Sequence, residues 1–373
     1  MNLSSNPSFP VRPLGKSGLN VSALSIGAMR LPDMDDAVAL LRQAIDSGCN
    51  YIDTSRGYGD SELKLARALK DGYRSKVLLS TKCSPWIMQE EGYTASADHA
   101  RRKIEDSMKR LEVDRLDFYQ VWNIDCAENY AKAIAKGGVV DGIHRAMKDG
   151  IVGHIAATTH APEDVVFQMI DSGLFEAITV TYHLLDRRRA AVMERAAAKG
   201  VGVIVMNPLG GGFLAHENAV IRNLLPGRPR TSKELALRYA MDHEAVSCVI
   251  SGFSKMSDVH ENVAVANGNP LSEADHKTID EGMVQLDQRM KSFCTACGYC
   301  LPCEAGVAIR KILRIAATAR VFEIPDVGKW RYANLVPPEA RADKCTRCGK
   351  CEPKCTNKLA IREELAKAHE LLS

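Results

Sequence analysis

Eight cysteines near the C-terminal end stand in two combs. Cys294, Cys297, Cys300 and Cys303 lie in "CTACGYCLPC", and Cys345, Cys348, Cys351 and Cys355 in "CTRCGKCEPKC". Thiolates separated by two residues turn inward together, and four of them make the ligand set of a four-iron cluster. Structural zinc sites more often join two separate C-x2-C pairs or mix in histidine, and neither comb holds a histidine. The combs therefore favour two [4Fe-4S] clusters over zinc. The other four cysteines, Cys49, Cys83, Cys126 and Cys248, read as buried small residues. Cys83, just beyond a strand's end, is the one to watch for reactivity.

The residues around the combs leave two readings open. Lys344, Arg347, Lys350 and Lys354 flank the second comb. They are suited to raising a cluster potential or docking an acidic soluble electron carrier, and equally to forming a solvated basic face. The stretch "IRKILRIAATARVF" between the combs reads as a helix suited to packing on the preceding domain.

Composition sets the frame for this tail. The chain has 373 residues, 46% hydrophobic and 25% charged, which is ordinary globular usage. With 49 basic and 46 acidic residues the net charge is +3, too weak a field to suggest nucleic acid or an anionic membrane as partner. No apolar run approaches the ~20 residues of a spanning helix, and "MNLSSNPSFPVRP" lacks a charged-then-apolar leader. The expected compartment is the cytoplasm, where twelve cysteines argue for metal or redox chemistry rather than disulfides. Oligomeric state is unreadable.

Ahead of the combs the chain alternates short apolar runs with amphipathic stretches. Strands are predicted at 23–27, 50–53, 77–81, 116–122, 154–158, 177–181, 202–206 and 248–250. In "ADHARRKIEDSMKRL", Ala100, Ile104, Met108 and Leu111 recur at helical spacing. Eight strands, each followed by a helix, predict an α/β fold, the (β/α)8 TIM barrel, over residues 1–290, followed by a small iron–sulfur domain over 291–373. A doubly wound sheet would usually place G-x-G-x-x-G after its first strand, and none is present. "RPLGKSGLNVSAL" reads as a hairpin closing the bottom of the barrel.

Catalytic side chains of such barrels gather at the C-terminal strand ends. There "YIDTSRGYGDSE" and "LLSTKC", together with "RPLGKSGLNVSALSIGAMRL", "TYHLLDRR", "NPLGGGFLA" and "ISGFSKMSDVHENVAVA", resemble the aldo-keto reductase family over about residues 10–290. The tail resembles the two-cluster ferredoxin-like extension that some members carry. The ferredoxin pattern implies that Cys294, Cys297, Cys300 and Cys355 hold one cluster, and Cys345, Cys348, Cys351 and Cys303 the other. Thr356 stands where that pattern has proline, and the first comb is one residue short before Cys303.

The family resemblance implies further roles. Tyr58 is the proton donor to a carbonyl oxygen, Lys82 stabilises the phenolate that forms, and Asp53 holds the ammonium in place. The nicotinamide nucleotide, NADH or NADPH, is expected at Gly27, Met29 and Arg30, at Thr158, Thr159 and Thr179 around the carboxamide, and against the ring of Tyr182. Pro208, Leu209, Gly210 and Gly211, with Gly252, Phe253, Ser254 and Lys255, are expected to offer backbone N–H groups to its phosphates. Glu261 and Asn262 match the adenine end. Asp258 falls where an arginine often meets the 2′-phosphate of NADPH, which favours NADH or weak binding.

Trp122 departs from the family. It occupies the place of the usual histidine, and an indole N–H donates a hydrogen bond without carrying a proton. The nicotinamide hydride and the one-electron clusters also mismatch in electron count, a gap that a flavin would bridge. The leading expectation is an oxidoreductase of a small carbonyl or alcohol. The alternatives are a lyase or isomerase using Tyr58 and Lys82, and a scaffold for electron transfer.

Overall fold

The computed structural model describes residues 9–86, 94–228, 230–291, 293–294 and 297–373. Eight parallel strands close into a barrel: β3 (Leu24–Gly27), β4 (Tyr51–Asp53), β5 (Leu78–Cys83), β6 (Leu116–Ile124), β7 (Val152–Thr159), β8 (Ala177–Thr181), β9 (Gly202–Met206) and β10 (Cys248–Gly252), with β10 pairing back onto β3. All eight coincide with the predicted runs. β5 and β6 each extend two residues further, so Lys82 is held within a strand and not in a loop. Mostly β-branched and small residues fill these strands, as the doubly covered strands of a parallel sheet require.

The predicted hairpin is β1 (Val11–Pro13) paired antiparallel with β2 (Asn20–Ser22). Its turn delivers Leu14, fully buried, into a cluster with Val21, Tyr51, Phe118, Ile204 and Cys248. The residue beside it must be glycine. Gly15 has φ +55°, and a Cβ there would collide with the backbone of Gly200 and Gly202.

The helix Ala97–Leu111 lies on the predicted stretch, with Ser96 accepting from His99 N–H at 3.3 Å as its N-cap. Ala100, Ile104 and Leu111 are buried as expected; Met108 is only half-buried, and Ser107 takes its place on the inner face.

The chain groups into two compact units. One comprises 1–211 and 236–271; the other joins 212–235 to 272–373, so that the helix Glu273–Lys291 falls with the cysteine-rich tail. Within the second unit Asn218 Nδ2 donates to Phe322 O at 2.7 Å, and the Phe213 ring meets Phe322 edge-on. Helices Ile309–Val321, Pro325–Leu335 and Ile361–Leu372 share a core of Ile312, Ala316, Tyr332, Leu365 and Leu372. The helix between the combs, read as one that could pack on the barrel, turns Ile312 and Ala316 into this core. Among the described residues no helix is long and apolar enough to cross a membrane.

Leu14→Ala should destabilise the barrel by about 3 kcal/mol in urea titration, because the hairpin cannot collapse into the void.

Candidate active site and cluster sites

Asp53 ends β4 and Lys82 lies near the end of β5, on strands paired so that Asp53 stands opposite Ser80. Alternation puts Ser80 and Lys82 on one face, the barrel interior. Both ions are sealed from water, at 3% and 2% exposure. Lys82 Nζ donates to Asp53 Oδ1 at 2.5 Å and to Thr54 O at 2.9 Å. A pair this deep is tolerable only when the remaining lone pairs and protons are also satisfied.

Tyr58 follows on the loop after β4. Lys82 Nζ lies 4.9 Å from its ring centre. Burial raises the phenol above its ordinary value; the Lys82 charge pulls it down without prevailing, and Asp53 adds to the rise. Burial alone would lower Lys82, but Asp53 and then Tyr58 outweigh it and hold the ammonium above its ordinary value. Lys82 therefore does not pre-ionise the phenol. The arrangement is a protonated acid beside a fixed cation, ready to stabilise a phenolate once the proton has left.

The Trp122 ring stands edge-on to Tyr58, centroids 5.7 Å apart at 74°. It adds an apolar wall to the acid's surroundings. The register of β6 against β7 shifts between Val121 and Ile124, so simple alternation stops before Asn123. Asn123 is buried, its carbonyl accepting from Trp86 Nε1 at 2.6 Å.

The groups expected around a nucleotide are differently disposed. Thr158 and Thr179, both almost fully buried, donate to Gln120 Oε1 at 2.7 and 2.9 Å. Thr159 Oγ1 donates to Ile124 O at 2.6 Å and accepts from Ala161 N–H, forming a local turn. The Tyr182 ring is buried and stacked on Tyr239, centroids 5.7 Å apart at 13°, so that face is already covered. Met29 and Arg30 are exposed just beyond β3, next to the half-buried Gly27.

Four of the backbone N–H groups expected to meet phosphates have local acceptors. Asn207 accepts from Gly210 N–H through its carbonyl and from Gly211 N–H through Oδ1. Asp258 Oδ2 accepts from Ser254 N–H at 3.0 Å, Ser254 Oγ at 2.8 Å and Lys255 N–H at 3.2 Å. The carboxylate thus sits at the N-terminus of the helix Met256–Ala266, where a phosphate would otherwise be drawn. Pro208 is buried, Leu209 half-buried and Gly252 exposed, while Phe253 is fully buried. At the expected adenine end, Asn262 is fully buried; its Nδ2 donates to Ser251 Oγ at 3.2 Å, and its Oδ1 has no hydrogen-bond partner among the described residues. A buried acceptor without a donor fits the amino group of an adenine. Glu261 is exposed beside it.

The cysteines gather in two sets. Cys294, Cys297, Cys300 and Cys355 line one cavity with Leu313, Leu359 and Ile361. Cys303, Cys345, Cys348 and Cys351 line the other, with Cys300 at its edge and Lys350, Lys354 and Arg362 on its wall. Each set takes its fourth sulfur from the other comb, the crossed arrangement that the ferredoxin pattern implies. Cys297 and Cys348 are the exposed members. Among the described residues no three histidine, cysteine or acidic side chains converge on a single metal ion. Four soft thiolates around an open cavity fit a cluster. Of the remaining cysteines, Cys49, Cys83 and Cys248 are buried, Cys126 half-buried; burial pushes the Cys49 thiol up to about 12, beyond easy reaction.

Sequence reading missed Gln120, Ser80, Asn207 and Tyr239. Gln120 was accessible in principle: it lies two residues after Phe118 on β6, so it shares that residue's inward face as a polar residue.

Comparison with known proteins agrees with this geometry. Residues 23–283 match the aldo/keto reductase family, and residues 293–360 match a 4Fe-4S dicluster domain. L-Galactose dehydrogenase of Arabidopsis thaliana is 29% identical over 303 residues, covering 73% of this chain and 92% of that protein. 6-Dehydroglucose reductase of Novosphingobium aromaticivorans is 29% identical over 272 residues, covering 66% and 81%. An aldo-keto reductase of Bacillus halodurans in its holo form superposes with TM-score 0.65 at 26% identity, covering 74% of this chain and 96% of that one. Neither family match supports the flavin that the electron count invites.

Lys82 and Tyr58 both hold their protons more tightly folded than unfolded. Their contribution to stability is therefore complete below about pH 10, the unfolded values, and is lost as pH rises through the raised folded values. Ultraviolet titration of the protein minus Tyr58→Phe should show one phenol ionising above pH ~10. Lys82→Met, which leaves a buried carboxylate unpaired, should cost about 3–5 kcal/mol. With a barrel of this closure, an acid–ammonium–carboxylate unit at its strand ends and a crossed pair of thiolate quartets, the chain belongs to the aldo/keto reductase family and is an oxidoreductase that carries a 4Fe-4S dicluster domain.

Proposed function

We propose that the barrel, residues 1–290, interconverts a small carbonyl and its alcohol with NADH, and that residues 291–373 exchange single electrons with a soluble carrier. The observation that carries the first part is the sealed Lys82–Asp53 pair at the strand ends, with Lys82 Nζ 4.9 Å from the ring centre of Tyr58. Two relatives named for sugar substrates support a hydroxylated carbonyl as the substrate class.

When bound, a nicotinamide supplies hydride to the carbonyl carbon. Tyr58 donates its proton to the carbonyl oxygen. Lys82 holds the charge left on the phenol, and Asp53 keeps Lys82 protonated and aimed. Trp122 offers no second proton; it narrows the site and excludes water beside Tyr58. Asn262 would receive the adenine. Asp258 stands against a 2′-phosphate: its carboxylate already takes three donors, and a second anion would meet it at close range.

Fluorescence titration of anaerobically purified protein should give NADH a Kd at least about tenfold below that of NADPH, about 1.4 kcal/mol. Asp258→Asn should narrow that gap. Tyr58→Phe should lower kcat by roughly 10²-fold or more with NADH binding unchanged. The engaged N–H groups at Asn207 and Asp258 favour a second reading, a lyase or isomerase using Tyr58 and Lys82. Failure of both nucleotides to bind would select it.

The clusters supply one-electron transfer. Support for a carrier comes from the charge around the second quartet. Its cavity is walled by Lys350, Lys354 and Arg362 with Glu304, whereas at the first quartet Arg314 donates to the Cys294 carbonyl and Arg310 stands beside Gly298. Glu304 pairs with Lys350 and Glu352 with Arg362, while Arg347, Lys354 and Lys358 have no ion pair among the described residues. An acidic carrier is the fitting partner at the exposed Cys348 edge. Reduction of the clusters by an acidic ferredoxin should slow with salt and with Arg347→Glu plus Lys354→Glu, while reduction by dithionite stays unchanged.

A further inference from the structure

Gln120 is the most connected side chain of the barrel interior. It is fully buried on β6, opposite Lys82 on β5 and Ala156 on β7. Nε2 donates to Asp53 Oδ2 at 2.6 Å and to Ser80 Oγ at 2.9 Å. Oε1 accepts from Thr158 at 2.7 Å and Thr179 at 2.9 Å. One amide thereby ties together side chains from β4, β5, β6, β7 and β8.

The orientation of that amide follows from chemistry. An ionised carboxylate is acceptor-only, so the NH2 must face Asp53, and the carbonyl must then face the two threonine hydroxyls. The two oxygens of Asp53 are divided accordingly: Oδ1 to Lys82, Oδ2 to Gln120. Rotation of the carboxylate would break both bonds at once. Neither leucine nor glutamate replaces glutamine at this position. The first would strand Asp53, Ser80, Thr158 and Thr179 without partners; the second would set two carboxylates within hydrogen-bonding distance, able to coexist only by sharing a proton.

We propose that Gln120 is a positioning residue for the proton-donating unit: it fixes Asp53 so that Lys82 stays aimed at Tyr58, and Thr158 and Thr179 serve that amide. This rests on the reading of Tyr58 as proton donor, and its test is built to be judged apart from turnover. The phenol of Tyr58 is read directly, as the ultraviolet titration of each protein minus its own Tyr58→Phe counterpart.

At the alkaline pH where the phenol titrates, the proton shared by the introduced carboxylate and Asp53 is given up, and Gln120→Glu should then move the Tyr58 ionisation upward by roughly one pH unit, because the negative charge added beside Asp53 opposes phenolate. Gln120→Met, a neutral replacement of similar volume, should not raise it in this way. In carbonyl reduction with NADH, Gln120→Met should lower kcat about tenfold or more with KM within about twofold. In an Asp53→Asn background the same change should cost little further, since the residue it positions is already lost. An unmoved Tyr58 titration in Gln120→Glu, or equal losses from Gln120→Met in both backgrounds, would make Gln120 a packing residue and overturn the proposal. If Gln120→Glu does not fold, the Gln120→Met cycle decides alone. Absence of any carbonyl reduction would count against the proposed reaction, while the titration would still judge Gln120.

Discussion

A carboxylate and an ammonium locked together inside a closed barrel set the terms for everything around them. Separated from water, Asp53 and Lys82 stabilise the fold only if every other lone pair and proton they carry has a partner. That demand explains a polar core where a barrel ordinarily packs branched hydrocarbons. Thr54 supplies a carbonyl to Lys82, Gln120 supplies an amide to Asp53, and Ser80, Thr158 and Thr179 satisfy the amide in turn. The hydrophobic residues sit lower, where Leu14 and its neighbours seal the bottom. The barrel is thus divided along its axis, apolar where it must be stable and polar where it can do chemistry.

The same accounting bears on the nucleotide. A chain that uses its threonine hydroxyls and helix N-terminal amides internally has fewer left for a ligand. At Asp258 the protein's own carboxylate occupies the positive end of the helix Met256–Ala266. Asn262 contrasts with it, keeping a buried oxygen without a partner among the described residues. On the proposed reading the adenine end is suited to a dinucleotide, while Asp258 stands against a 2′-phosphate. Discrimination of this kind comes from an unfavourable contact with the wrong ligand more than from a new contact with the right one.

Much of this was readable from the chain. Strand positions followed from β-branched runs, because a parallel sheet covered on both faces writes itself as nearly continuous apolar segments. The cysteine combs named their metal chemistry through spacing, and crossed pairing needed only the ferredoxin pattern. Asp53, Tyr58 and Lys82 were visible through matching strings. What escaped were partners with no motif of their own. Gln120 is one glutamine in a strand, and its importance appears only when five strands converge on it. Tyr182 looked available for stacking because the sequence does not say that Tyr239 will cover its face. The helix Ile309–Val321 was recognisable as amphipathic, but periodicity does not say which surface an apolar stripe will meet.

On the proposed reading the two halves deal in different electron units, and their surroundings suit this. Around Tyr58 the structure gathers groups that place and hold a proton: burial keeps the phenol protonated, and the adjacent ammonium lowers the cost of losing that proton at the moment of transfer. Around the thiolates it gathers no acid or base with such a task. Lys350, Lys354 and Arg362 stand at one quartet together with Glu304, and Arg314 donates to the Cys294 carbonyl at the other, so both have cations nearby to temper added negative charge. Hydride chemistry needs a proton delivered in step with two electrons, whereas cluster chemistry needs only a tuned potential and an exposed edge. On the proposed reading each region of this chain is furnished for one of those requirements, and two residues that furnish it, Gln120 in the barrel and Lys354 within the second comb, are neither the acid, base nor thiolate that the family strings name.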